Sequence, residues 1–238
     1  AMTGISRIFG FIRDMLIARY LGAGRLSDVF LAAFKLPNLF RDLLGEGALS
    51  AIFIPMYTDL KKDDAFAKNV FSWLMVVLLG ITLVFEIFMP LVIWGLAPGF
   101  ADDPGKMQLT VQISRIMFFY VIFVCAAAFM SAILNAHSRF LLAAFMPVLL
   151  NIMLIAALAA APFYADGIIL YVMAGTVVLS GVIQCLVLLG RIRRRHFGLH
   201  LVVPKWTPGI KSLFRRLTIS IVGSGFYQIT IIVGTLVA

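Results

Sequence analysis

Three arginines in the first part of the chain are its strongest candidates for binding a ligand. Arg7, Arg13 and Arg41 lie in otherwise apolar stretches. A charged side chain inside a bilayer costs about 2.5–3.5 kcal/mol on insertion scales, so it marks a functional site by default. A guanidinium is planar and always charged, and it holds a phosphate through two parallel hydrogen bonds. These residues therefore predict a binding site for a phosphate-bearing ligand.

Helical geometry places most polar residues of the first stretch on one side. At 100° per residue, five of them fall within an arc of about 120°, and Arg19 lies away from that arc. The second stretch has a polar set of its own, which Pro37 interrupts and is expected to kink. The first set is Ser6, Arg7, Gly10, Arg13 and Asp14, and the second is Asp28, Lys35, Asn38, Arg41, Asp42 and Glu46.

These polar faces have two interpretations. In the first, both helices turn them toward a water-filled interior, where irregular backbone is tolerated at membrane depth. In the second, the charges form structural ion pairs, of Asp14 with Arg7 or Arg13 and of Lys35 with Asp42. For the arginines we favour ligand binding, because a purely structural pair could have used fewer of them.

Other polar residues in apolar runs give weaker signals. Glu86 is either a proton-linked group or a residue that packs between helices. Asn151 and Gln184 either line a cavity or form hydrogen bonds between helices, which is the commoner use. Cys125, Cys185 and the three histidines have no metal-ligand spacing. No Walker motif, nucleophile elbow or H-E-x-x-H is present, so we predict neither a metal site nor an enzyme.

Composition identifies the elements that must position these residues. The chain has 238 residues, of which 62% are hydrophobic, against about 45–50% in soluble domains. A membrane-spanning helix needs about 20 apolar residues. Two spans fit within residues 1–58, joined by a tight connection at 22–27, and five more follow at 70–97, 107–134, 141–162, 168–190 and 217–238. The sequence thus predicts an all-α, polytopic membrane helix bundle of about seven spans.

The basic residues predict the orientation of the bundle. The net charge is +9, and twelve Lys and Arg residues fall in the connections after spans two, four and six, against two in the connections after spans one, three and five. The positive-inside rule therefore places the N-terminus in the cytoplasm. The basic connection at 191–216 is expected to contact anionic lipid rather than nucleic acid. Its segment 199–214 is a candidate to lie along the membrane interface.

Several blocks of sequence around these charges match a known family. They read SRIFGFIRD at 6–14, FKLPNLFR at 34–41, EGA at 46–48 and FIP at 53–55. Further matches are APGF at 97–100, ILN at 133–135 with RF at 139–140, and Pro147 with LLNI at 149–152. On these blocks the chain resembles the MurJ (MviN) lipid II flippases, which belong to the multidrug/oligosaccharidyl-lipid/polysaccharide exporter superfamily.

The resemblance implies an architecture of fourteen helices in two lobes. Residues 1–190 would form the N-terminal six-helix lobe. Residues 191–216 would be a basic cytoplasmic connection with an interfacial helix, and 217–238 would begin span seven. We expect the second lobe to lie outside this chain.

The resemblance also implies a function. The family moves lipid II, the undecaprenyl-diphosphate-linked peptidoglycan precursor, from the inner to the outer leaflet of the bacterial cytoplasmic membrane. By position, Arg7, Arg13 and Arg41 correspond to cavity arginines that the family needs, and Asp28 to an acidic position of functional importance. Companion residues in this site would be Ser6, Asp14, Asn38, Glu46 and Asn151. No cofactor is implied; membrane potential is the expected driving force, and 218–238 has no carboxylate to support a sodium site.

Two other functions remain open from the sequence. One is the export of a different polyprenyl-linked oligosaccharide on the same architecture; a cationic drug would be repelled by the arginines. The other is a membrane scaffold that recruits cell-wall enzymes without transporting anything. The expected partners are lipid II, membrane lipids and cell-wall synthesis proteins, with no nucleic acid among them.

Overall fold

The computed structural model describes residues 2–42, 48–164, 167–194 and 198–220, and these residues form helices and connections without a strand. This confirms the all-α prediction. The helices are α1 (Met2–Leu21), α2 (Arg25–Phe40), α3 (Ala48–Asp59), α4 (Asp64–Leu96), α5 (Pro104–Phe118), α6 (Tyr120–Ala136), α7 (Phe140–Ala159) and α8 (Ile168–Arg193). A further helix, α9, occupies 208–220.

Four helical segments are long and apolar enough to cross a membrane. They are Asp64–Leu96, Pro104–Ala136, Phe140–Ala159 and Ile168–Arg193, where the second combines α5 and α6. They coincide with four of the predicted spans and confirm a membrane helix bundle. The two charged spans predicted in residues 1–58 correspond to α1 and to α2 with α3. Most of the predicted seventh span, 217–238, lies outside the described residues.

Local sequence signals explain where several helices begin and end. Asp63 caps α4 by accepting a hydrogen bond from the Ala65 amide at 2.9 Å, and Asp103 caps α5 through the Lys106 amide at 2.9 Å. Between α1 and α2 the backbone turns at Gly22, whose φ of 69° favours glycine. The predicted tight connection at 22–27 is therefore present, although α2 already begins at Arg25.

Burial distinguishes the centre of the bundle from its periphery. Helix α6 is buried along most of its length, and Phe129 and Tyr120 are among its fully enclosed side chains. Helix α8 approaches α6 closely at Gly181, where a Cβ atom would lie 2.7 Å from Tyr120 Cδ2. Helix α4, by contrast, exposes a stripe at spacings of three and four residues: Val76, Leu79, Leu83, Ile87, Leu91 and Trp94. This spacing is that of one helix face, which suits contact with lipid.

The segment 198–207 crosses the beginning of α4 as an extended strap. Asn69 donates to the Lys205 carbonyl and accepts from the Lys205 amide, both at 2.8 Å. Ser72 Oγ accepts from the Val202 amide at 2.9 Å, and the Trp73 indole also donates to the Lys205 carbonyl at 3.2 Å. The strap and α9 thus pack on the bundle, with Ile210 of α9 fully buried.

We expect Asn69→Ala to release the strap from α4. The substitution removes the side chain that bonds to both the amide and the carbonyl of Lys205, while the Trp73 indole still donates to the carbonyl; the lost partner of the amide costs about 1–3 kcal/mol. The melting temperature of the purified chain in detergent should fall, and cleavage by chymotrypsin at Trp206 should become faster. Thr218→Ala is the control, because Thr218 bonds only to the Phe214 carbonyl of its own helix. Unchanged melting and cleavage for Asn69→Ala would contradict this role.

Candidate functional site

Arg13, in the middle of α1, forms the central contacts of the site. Its Nη1 donates to Asn151 Oδ1 of α7 at 2.9 Å. Its Nε and Nη2 both donate to Asp14 Oδ1, at 2.9 and 2.8 Å. The Arg13 side chain is 21% exposed and that of Asp14 is 62% exposed. One arm of the guanidinium is therefore held by a neutral amide, and the other faces an accessible carboxylate.

Asn151 joins α7 to α1. It is 6% exposed, and its Nδ2 donates to the Ser6 carbonyl at 3.4 Å. Gly10 lies beside it, and a Cβ atom there would be 3.8 Å from Asn151 Nδ2. The sequence offered two uses for Asn151, a cavity wall and a hydrogen bond between helices. The structure combines them, because the residue also lines a cavity.

Arg41 is the second guanidinium of the site and follows the last residue of α2. Its Nε and Nη2 donate to Asp42 Oδ1 at 3.2 and 3.0 Å, and its side chain is 25% exposed. The predicted pair of Lys35 with Asp42 is wrong: Asp42 instead pairs with its neighbour in the sequence. Residues 35 and 42 are about 10 Å apart along a regular helix, too far for direct contact.

Two cavities meet at these ion pairs. The first, called here the inner cavity, has a volume of about 680 Å³ and is lined by both Arg13 and Arg41. The second, the α1–α2 cleft, has a volume of about 940 Å³ and is lined by Arg13, Asp14 and Asp42. Both arginines thus line the inner cavity, and the two aspartates line the cleft.

The inner cavity is lined by polar side chains and by small apolar ones. Ala127, Ala128, Ala143 and Ala144 leave room between α6 and α7. The polar residues come from six different helices or connections: Ser6, Arg13, Arg41, Ser50, Ser131, Asn135, Asn151 and Gln184. A cavity of this size and mixed lining is typical of a binding site for an organic ligand.

The α1–α2 cleft has a free hydrogen-bond acceptor. Asn38 lines it together with Lys35, and the buried Asn38 Oδ1 has no hydrogen-bond partner among the described residues. An unpaired buried oxygen is costly unless a ligand or water satisfies it. Asn38 therefore remains a candidate site residue on the cleft side of Arg13.

The structure does not bring every predicted residue to these cavities. Arg7 is exposed on α1 and lines neither the inner cavity nor the cleft. Asp28 lies in the first turn of α2, where its Oδ2 accepts from Lys106 Nζ at 2.6 Å. Arg41 comes thirteen positions later, which is about 20 Å along a helix. Asp28 joins α2 to α5 at the opposite end. Glu46 lies outside the described residues.

Sequence reasoning missed part of the cavity wall. Ser131 and Asn135 are one turn apart on α6, and Ser50 belongs to α3; none of them was selected as a site residue. A signal was available for α6, since i and i+4 polar residues in an apolar run share one face. Gln184 was named as a possible cavity residue, and it does line the inner cavity.

We expect Asn151→Leu to destabilise the packing of α1 on α7. The change leaves Arg13 Nη1 without its Asn151 partner and removes the second bond to the Ser6 carbonyl, which also accepts a bond within α1; the lost Arg13 partner costs about 1–3 kcal/mol, which should lower the melting temperature in detergent. Gln112→Leu is the control, because its bond from the Tyr171 hydroxyl also joins two helices but is exposed. Equal melting temperatures for the two variants would contradict the role of Asn151.

Comparison with known proteins supports the same architecture. The family model "Lipid II flippase MurJ" matches residues 17–238. The probable lipid II flippase MurJ of Rhizobium tropici is 39% identical over 98% of this chain and 45% of the relative. That of Rhizobium meliloti is 36% identical over 98% of this chain and 45% of the relative.

A solved structure has the same fold. It is a lipid II flippase MurJ in an inward closed conformation, with a TM-score of 0.77 and 22% identity, and the match covers 93% of this chain and 46% of the other. The chain therefore spans about half the length of the proteins that it matches. With its multi-pass helix bundle and its match to the family model over residues 17–238, the chain belongs to the MurJ family and corresponds to an N-terminal half.

Proposed function

We propose that this chain is the N-terminal lobe of a transporter that moves lipid II from the inner to the outer leaflet of the bacterial cytoplasmic membrane. The observation that carries the proposal is the presence of two guanidiniums, Arg13 and Arg41, in the lining of one cavity. Lipid II carries a diphosphate, and two guanidiniums match its two phosphate groups in number and charge. The names of the relatives favour lipid II over another polyprenyl-linked oligosaccharide.

The ion pairs of the two arginines allow such a ligand to bind. Asp14 and Asp42 are 62% and 48% exposed, and exposed pairs contribute only about 0–1 kcal/mol. A diphosphate offers more charge and more acceptor oxygens than either carboxylate. We therefore infer that it displaces Asp14 and Asp42 from the guanidiniums while Asn151 continues to hold Arg13 in place.

Transport follows from two lobes that expose one site alternately to each side of the membrane. In this scheme residues 1–190 form the first lobe with a cytoplasmic N-terminus, 191–216 form the cytoplasmic connection, and 217–238 begin span seven. The isoprenoid tail stays in lipid through a gap between helices. A membrane potential contributes about 2.3 kcal/mol per charge per 100 mV. It drives the anionic headgroup outward and returns the empty, arginine-bearing cavity inward.

The decisive experiment is Arg13→Ala in cells that depend on this protein for lipid II export. Loss of the guanidinium removes the central phosphate donor, so we expect export to fall at least tenfold while insertion into the membrane stays normal. Export is measured by the labelling of lipid II in the outer leaflet.

Arg19→Ala is the matched control on the same helix. Arg19 is exposed and contacts the ring of Tyr20 at 5.7 Å, so its loss should leave export unchanged. Normal export by a stably inserted Arg13→Ala protein would refute the proposed function.

A further inference from the structure

The inner cavity has a neutral wall that the arginines do not explain. It is formed by Gln184 of α8 and by Asn135 and Ser131 of α6, all of which line the cavity. Gln184 is 3% exposed, and its Nε2 has no hydrogen-bond partner among the described residues. The buried Asn135 Oδ1 is in the same situation. The wall therefore offers one unused donor and one unused acceptor.

Unused hydrogen-bonding groups are not a general property of α8. Ser180, one turn before Gln184, is fully buried, yet its hydroxyl donates to the Val177 carbonyl at 2.6 Å. A buried amide group without a partner costs about 1–3 kcal/mol, and most such groups in proteins are satisfied. Gln184 and Asn135 thus have the property expected of groups that await a ligand.

The packing around Gln184 fixes its position. Three residues before it, Gly181 touches the ring of Tyr120 so closely that a Cβ atom would lie 2.7 Å from Tyr120 Cδ2. One residue after it, Cys185 Sγ donates to the Phe123 carbonyl at 3.0 Å. These contacts hold α8 against α6 on both sides of Gln184. Its amide is therefore presented to the cavity by a rigid surface, as recognition requires.

The chemistry of the wall defines the group that it can bind. Gln184, Asn135 and Ser131 have no charge, so they do not compete with Arg13 and Arg41 for phosphate. Because Gly181 and Cys185 contact Tyr120 and Phe123, Gln184 lies about ten residues, or roughly 15 Å, along α6 from Asn135. The donor and the acceptor therefore suit two different groups of one extended neutral ligand, such as the acetamido carbonyl and a hydroxyl of an N-acetylated amino sugar unit. On the proposed function, the sugar attached to the diphosphate enters the same cavity. We propose that Gln184 and Asn135 bind this N-acetylated sugar and so distinguish lipid II from its sugar-free diphosphate carrier.

Two ligands distinguish binding of the sugar from binding of the diphosphate. The purified chain in lipid nanodiscs is titrated with lipid II and with undecaprenyl diphosphate, which lacks the sugar. Gln184→Leu should weaken lipid II binding about tenfold, or about 1.4 kcal/mol, and change the Kd for undecaprenyl diphosphate less than twofold. Thr176→Val is the control on the same helix, because among the described residues Thr176 bonds only to the Val172 carbonyl of its own helix; it should leave both Kd values unchanged.

Stability measurements distinguish binding from a structural role. Gln184→Leu removes an unsatisfied amide, so the melting temperature without ligand should not fall; a fall would indicate a structural residue and overturn the proposal. Asn135→Ala is a second variant, for which we expect the same loss of lipid II binding alone. The proposal is also overturned if these variants weaken the binding of lipid II and of undecaprenyl diphosphate equally, or if they weaken the binding of neither.

The failure of the proposed function has a different signature. Arg13→Ala should weaken the binding of both probes, because both have the diphosphate. Wild-type binding of both probes by Arg13→Ala would refute the phosphate site itself, whatever the result for Gln184. If Arg13→Ala loses binding of both probes while Gln184→Leu changes the two Kd values equally or not at all, only the sugar contact is refuted.

Discussion

The guanidinium of Arg13 imposes the constraint on which the rest of this lobe depends. A charge in a membrane helix must be hydrogen-bonded, because the bilayer offers no water to replace lost solvation. Asn151 of α7 supplies a bond at 2.9 Å, and the same amide reaches the Ser6 carbonyl. The charge proposed to bind substrate and the packing of α1 on α7 thus depend on one set of contacts.

The other helices surround the contact between Arg13 and Asn151 to different degrees. Helix α6 is buried against its neighbours and gives the cavity both small residues and polar ones. Helix α4 presents its apolar stripe outward and receives the strap through Asn69. The basic connection therefore starts from a fixed surface of the lobe. The proposed rocking of one lobe against another would require such rigidity, because motion then occurs between lobes and not within one.

The sequence predicted what depends on local periodicity and left out what depends on distant contacts. The apolar runs located four spans, and helical spacing placed Arg13 with Asp14 and Ser6 near one side of α1. The pairing of Asp28 with Lys106 joins residues far apart in the chain, and no spacing rule identifies such a partner. The alternative in which Lys35 pairs with Asp42 is not the one the structure shows: Asp42 pairs with the adjacent Arg41, and heptad spacing on either side of Pro37 does not determine such a contact.

The choice of neighbouring carboxylates as counterions has a physical reason. A guanidinium paired with a distant, buried carboxylate would form a strong bond, and breaking it for a ligand would leave a buried charge unpaired at a cost of several kcal/mol. Asp14 and Asp42 are next to their arginines and about half exposed or more, so water solvates each carboxylate once it is released. The pairs neutralise the two arginines, yet they would oppose a diphosphate only weakly. The transport cycle proposed above, in which the ligand is bound and released in turn, would need this combination.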